Sequence, residues 1–68
     1  MTINKLFGQN LKKYRLKKKY SQEYLAEIFG LHRTYISSIE LRKKSPSLQT
    51  IEILAQKLEI DIYYLFKY

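Results

Sequence analysis

"SQEYLAEIFGLHRTYISSIE", Ser21 to Glu40, holds two short amphipathic segments joined at a single glycine. In the first, Ser21 is a good N-cap and Glu23 lies in the opening turn, near the positive end of the helix dipole. Leu25, Ala26 and Phe29 make its buried stripe before Gly30 stops the helix. The second segment begins at His32 or Arg33 and buries Ile36 and Ile39, three positions apart. That leaves Arg33, Thr34, Ser37 and Ser38 outward, with Tyr35 either beside them or tucked against the preceding helix. Nothing acidic lies on this face until its end at Glu40.

Working outward, Ile3 to about Lys18 carries apolar residues at positions 3, 6, 7, 11 and 14, a helical stripe without proline. After Glu40 comes a polar bend, Arg42-Lys43-Lys44-Ser45-Pro46. Ser47 then caps a helix with Leu48, Ile51, Leu54, Ala55 and Leu58 on one face, and Asp61 caps a final short helix from Ile62 to about Phe66. No alternating strand pattern and no repeat interrupts this order. The expected class is all-α, one compact five-helix domain spanning residues 1–68. Two of its helices meet at a short turn containing Gly, the helix-turn-helix arrangement. Ala26 keeps the crossing small, Gly30 supplies the tight turn, and Ile36 and Ile39 anchor a second helix shaped for the major groove.

Composition narrows the function. The chain has 68 residues, 46% of them hydrophobic, and no cysteine, so the core must come from apolar packing alone, with neither disulfide nor thiolate metal site. No stretch approaches the roughly 20 apolar residues needed to cross a bilayer, and the first residues lead into no signal-peptide core, so a cytoplasmic location is expected. The formal charge is +7, and it is uneven: residues 1–20 hold seven Lys/Arg and no acid, 21–44 hold four against three, and 45–68 hold two against three. Such a split suits a nucleic-acid face backed by a neutral face for another partner. A basic surface that serves only solubility is the plainer alternative.

Counted from Gln22 as the first position, Gln22, Ala26, Gly30, Ile36 and Ile39 resemble the first, fifth, ninth, fifteenth and eighteenth positions of the helix-turn-helix in the phage repressor and Cro family, the XRE type. The resemblance covers about residues 4–66, including "SPSLQTIEILAQKLEIDIYYLF", which is similar to the family's closing helices. Within that family, "LHRTYISSIE" most resembles the controller proteins of restriction–modification systems, single-domain dimers that regulate their own operon and the endonuclease gene. The resemblance implies a salt bridge between Arg15 and Glu40, joining the first helix to the end of the third, and a phosphate contact by Gln22. One departure stands out. The family usually has a glycine near the third place from Glu40, whereas this chain has Leu41, Arg42 and Lys43, leaving a non-glycine residue to accept positive φ if the turn is kept.

Each site residue has a competing reading. Arg33 has the geometry to pair bidentately with guanine N7 and O6, or it is a solvated helix-end arginine; the motif favours the base contact. Thr34, Ser37 and Ser38 reach base edges, a thymine methyl, or only phosphates. Gln22 is favoured as a phosphate contact because exposed amides and the dipole favour anions there. Tyr35 either meets the DNA backbone, as the likeness to controllers implies, or is partly buried. Lys43 and Lys44 are assigned to the backbone, while Lys17, Lys18 and Lys19 are read as solvated. His32, the single histidine, has no companion for a metal and is read as a helix-start or phosphate-proximal residue.

At the other end, Ile53 lies roughly 160° from the centre of its helix's core stripe and is expected to be exposed. Ile53 with Ile60, Ile62, Tyr63 and Tyr64 would form an apolar patch for two-fold pairing, while Leu65 and Phe66 close the core. The expected function is a sequence-specific double-stranded DNA-binding transcriptional regulator, a homodimer without cofactor, metal or small-molecule ligand and without membrane association. Its rivals are an antitoxin or phage-type repressor of the same fold, a basic protein-interaction module and a membrane-active cationic helix. Catalysis is not expected from a chain with one His, one Asp and no Gly-rich phosphate loop.

Overall fold

Four polar side chains punctuate the chain. Thr2, Ser21, Ser47 and Asp61 each stand in extended backbone before an element, where the side chain accepts from the amide of Lys5, Tyr24, Thr50 and Tyr63 respectively. The computed structural model describes residues 2–30 and 32–68. The elements that follow these caps are α1 (Ile3–Lys17), α2 (Gln22–Phe29) and α4 (Leu48–Leu58), with a 3-10 turn over Ile62–Leu65; α3 (Arg33–Glu40) begins after His32, which makes no side-chain cap bond. Gly30 ends α2 in the left-handed conformation at φ +82°, which its lack of a Cβ permits.

Apolar faces from every element meet in one core. Phe7 and Leu11 come from α1, Leu25 and Ala26 from α2, Ile36 and Ile39 from α3, and Ile51, Leu54, Ala55 and Leu58 from α4, with Leu65 closing the end. Phe66 lies against this core, its ring centroid 5.3 Å from that of Phe7. Among the described residues no helix is long and apolar enough to cross a membrane.

Several expectations need correction. Among the described residues the fold is all-helical, but with four α-helices and a single 3-10 turn rather than five helices. Asn10, a buried polar residue of α1, ties the end of the chain to the first helix: its Nδ2 donates to the carbonyls of Leu65 (3.1 Å) and Lys67 (2.8 Å). Leu48 does not join the buried stripe. It is 86% exposed and Ile3 is 59% exposed, because each lies in the overhanging first turn of its helix, where no other element covers it. Ile53 is half-buried rather than exposed, and it is not among the residues packed on the core.

One close approach sets the position of α3. A Cβ built on Gly8 would lie 2.7 Å from the Ile39 carbonyl oxygen and 3.0 Å from that of Glu40, so α1 crosses the end of α3 backbone to backbone. Gly8→Ala is therefore expected to destabilise the domain. Forced overpacking costs about 1–3 kcal/mol, and the upper end applies here because the atoms met are backbone that cannot turn aside; alanine's better helix propensity returns about 1 kcal/mol, so about 2 kcal/mol is lost and the melting temperature should fall by several degrees. An unchanged melting temperature would mean that the two helices separate freely.

Candidate nucleic-acid interface

The outer face of α3 begins with its two most open side chains. Arg33 and Thr34 are exposed; Ser37 and Ser38, one turn on, are half-buried, and Ile36 and Ile39 on the opposite side are buried. His32, exposed, precedes them as the helix cap. Tyr35 is partly buried against the core, and the Lys44 ammonium lies 5.7 Å from the centroid of its ring. The face is thus short, polar and free of carboxylates up to Glu40.

Glu40 itself is turned inward and held. Its carboxylate takes a two-point bond from Arg15, Nε to Oε2 at 2.7 Å and Nη2 to Oε1 at 3.1 Å, with both side chains over nine-tenths buried. Arg15 spends its remaining nitrogen on the Tyr20 carbonyl, 2.8 Å away, and Gln22 Nε2 donates to Glu40 Oε1 at 3.1 Å. Three parts of the chain are tied to the last residue of α3: α1 through Arg15, the α1–α2 connection through Tyr20, and the start of α2 through Gln22. Such a network fixes how far α3 projects and in which direction. No buried side-chain nitrogen or oxygen is left without a partner among the described residues.

The bond from Gln22 to Glu40 is a contact that the sequence, which points Gln22 to phosphate, does not announce. Its amide is half-buried and already engaged with Glu40. The spacing of eighteen residues from Gln22 to Glu40 was visible, but nothing local marks a contact between them. Past α3, the chain makes the turn that the family usually gives to glycine: Arg42 stands at φ +67°, its amide donating to the Ile39 carbonyl (3.0 Å) while that of Lys43 reaches Ser38 (2.8 Å). Arg42, Lys43 and Lys44 are all exposed. Ser45 Oγ, 3.0 Å from Asn4 Oδ1, pins the far end of the bend to α1.

The rest of the molecule is chemically quieter. Lys18 and Glu59 form a surface pair at 2.6 Å, and their hydrogen bond holds Lys18 above and Glu59 below its ordinary pKa. The pair's contribution is complete between the two ordinary values. It is lost as pH falls through the depressed Glu59 pKa or rises through the elevated Lys18 pKa. Among the described residues no three His, Asp or Glu side chains gather into a metal-binding group. Ile62, Tyr63 and Tyr64 are exposed and Ile60 is half-buried, an apolar stretch at the end of the chain.

Comparison with known proteins fits this geometry. The helix-turn-helix family model matches residues 11–65, from α1 through the closing 3-10 turn. The chain belongs to the XRE-type helix-turn-helix family. Among its relatives, the control protein C.SmaI of Serratia marcescens is 44% identical over 62 residues, 91% of this chain and 74% of that protein. The crystal structure of the restriction–modification controller protein C.AhdI from Aeromonas hydrophila has a TM-score of 0.88 at 40% identity, over 93% of this chain and 96% of that one. The transcriptional regulator SinR of Bacillus subtilis is 38% identical over 61 residues, but the match spans only 55% of its length. A crystal structure of SinR in complex with DNA has a TM-score of 0.83 at 37% identity, over 90% of this chain and 98% of that one.

Proposed function

We propose that this protein is a transcriptional regulator that binds double-stranded DNA sequence-specifically as a homodimer, and that it controls a restriction–modification operon. The observation that carries the reading is the polar, acid-free face of α3, held outward by the bonds from Arg15 and Gln22 to Glu40. A short helix presented in this way fits the major groove, with Arg33 and Thr34 at its leading end, Ser37 and Ser38 one turn behind, and His32 and Tyr35 beside the backbone. Gln22 reaches phosphate in this reading through its amide's free hydrogen or its backbone N–H at the start of α2. Two copies related by a two-fold axis put their α3 helices in successive major grooves about 34 Å apart. Ile53, Ile60, Ile62, Tyr63 and Tyr64 form the pairing surface. The likeness to C.SmaI and C.AhdI supports the controller assignment, and the likeness to SinR in its DNA complex supports the partner.

The division of labour within the site has a direct test. Arg33→Ala is expected to cost about 1–3 kcal/mol on the preferred duplex and to relax sequence preference at one position, because it removes a bidentate base contact. Lys44→Ala should weaken preferred and random duplexes alike. Equal losses on both duplexes from both variants would remove α3 as the reading element.

A further inference from the structure

Among the described residues, three that are not glycine take the left-handed conformation: Lys19 at φ +61°, Arg42 at +67° and Glu59 at +56°. For an L-residue that conformation is strained, and glycine adopts it freely. Glu59 has a bonded side chain that accounts for its presence, the pair with Lys18 at 2.6 Å. Arg42 has none: its guanidinium is exposed and pairs with no carboxylate among the described residues. The backbone here needs only what a glycine supplies, the amide bonds to Ile39 and Ser38 that close α3. The side chain is therefore superfluous to the fold, and it stands two residues beyond α3, next to Lys43 and Lys44.

We propose that Arg42 is a DNA-phosphate contact kept at the expense of stability, the first of three consecutive cations that grip the backbone beside the groove α3 enters. The proposal rests on the DNA-binding reading above and adds a residue which that reading leaves unassigned. Geometry favours a gripping unit over three independent charges. The turn at Arg42 sends the chain back so that the Lys44 ammonium lies over the Tyr35 ring of α3, and Ser45 Oγ bonds Asn4. The bend is thus held at both ends, and its cations meet a phosphate row with little ordering left to do. A guanidinium also suits that role, since its planar fork matches two phosphate oxygens at once.

Arg42→Gly separates the two sides of the proposal. Relaxing the turn should raise the melting temperature by about 3–6 °C. Binding to a random-sequence duplex should weaken about five- to tenfold at low salt, and the slope of log K against log salt should shrink by about 0.9 per bound subunit. Arg42→Lys should keep the wild-type slope and gain no stability. Lys19→Gly makes the same backbone change and the same loss of charge at a left-handed position outside the bend, and should stabilise without changing the slope. Unchanged affinity and slope in Arg42→Gly, a fall in its melting temperature, or an equal loss of slope in Lys19→Gly would each overturn the proposal. A wild-type protein that binds no duplex overturns the DNA-binding reading itself, and Arg42's role with it.

Discussion

Glu40→Gln is expected to destabilise the domain by up to about 3–5 kcal/mol, a large part of what holds a chain of this size together. The substitution keeps the shape of the side chain and removes its charge, leaving the Arg15 guanidinium more than nine-tenths buried without a counter-ion. It also disturbs the bond that Gln22 makes to Oε1, so the start of α2 loosens along with the end of α3. Glu23→Gln, on the exposed first turn of α2, should hardly change the melting temperature. Thermal unfolding of the three proteins decides the matter: equal melting temperatures for wild type and Glu40→Gln would remove the ion pair as a structural feature.

Ile53→Glu should leave a folded but monomeric protein. Ile53 is half-buried and lies outside the packed core, so a charge there is tolerated by the monomer, whereas two-fold pairing would bring two carboxylates together out of water. Binding to half an operator should survive. Binding to the whole operator should fall by a factor of about 10²–10⁴, because the second reading head no longer arrives tethered to the first. Sedimentation and gel shifts on whole and half sites test this. A variant that stays dimeric and binds the whole site normally would move the interface towards Tyr63 and Tyr64.

Helix starts are legible in the sequence because capping is a local event: Ser21, Ser47 and Asp61 each announce an element that the structure contains, and Thr2 caps α1 in the same way. Leu25 and Ala26 of α2 and Ile36 and Ile39 of α3 are legible as core through their spacing, whereas Phe29, expected in the same buried stripe, is half-buried against that core. Features that depend on distant parts of the chain were not. Gly8 is an interior helix glycine, and its cost to the helix was a signal that something approaches closely, yet only the fold shows that the backbone of Ile39 and Glu40 does so. Asn10 looked like one more polar residue of α1, and its partners lie more than fifty positions away. Leu48 and Ile3 show the converse failure: periodicity assigns a face but cannot tell whether another element extends far enough to cover it. For Arg15 and Glu40 the sequence supplied a family likeness and no geometry, and the 2.7 Å contact between them belongs to the folded chain. Positive φ at Arg42 was foreseeable from the missing glycine; what its side chain does there was not.

The most direct test of the proposed function is a selection of bound sequences from random duplex DNA with the full chain. A dimer that reads DNA through α3 predicts enrichment of one two-fold-related sequence whose half-sites are centred about one helical turn apart. Arg33→Ala should lose the preference at a symmetric pair of positions. Enrichment of no sequence, with binding that depends on salt alone, would contradict the reading and leave a basic domain whose partner is not a DNA sequence.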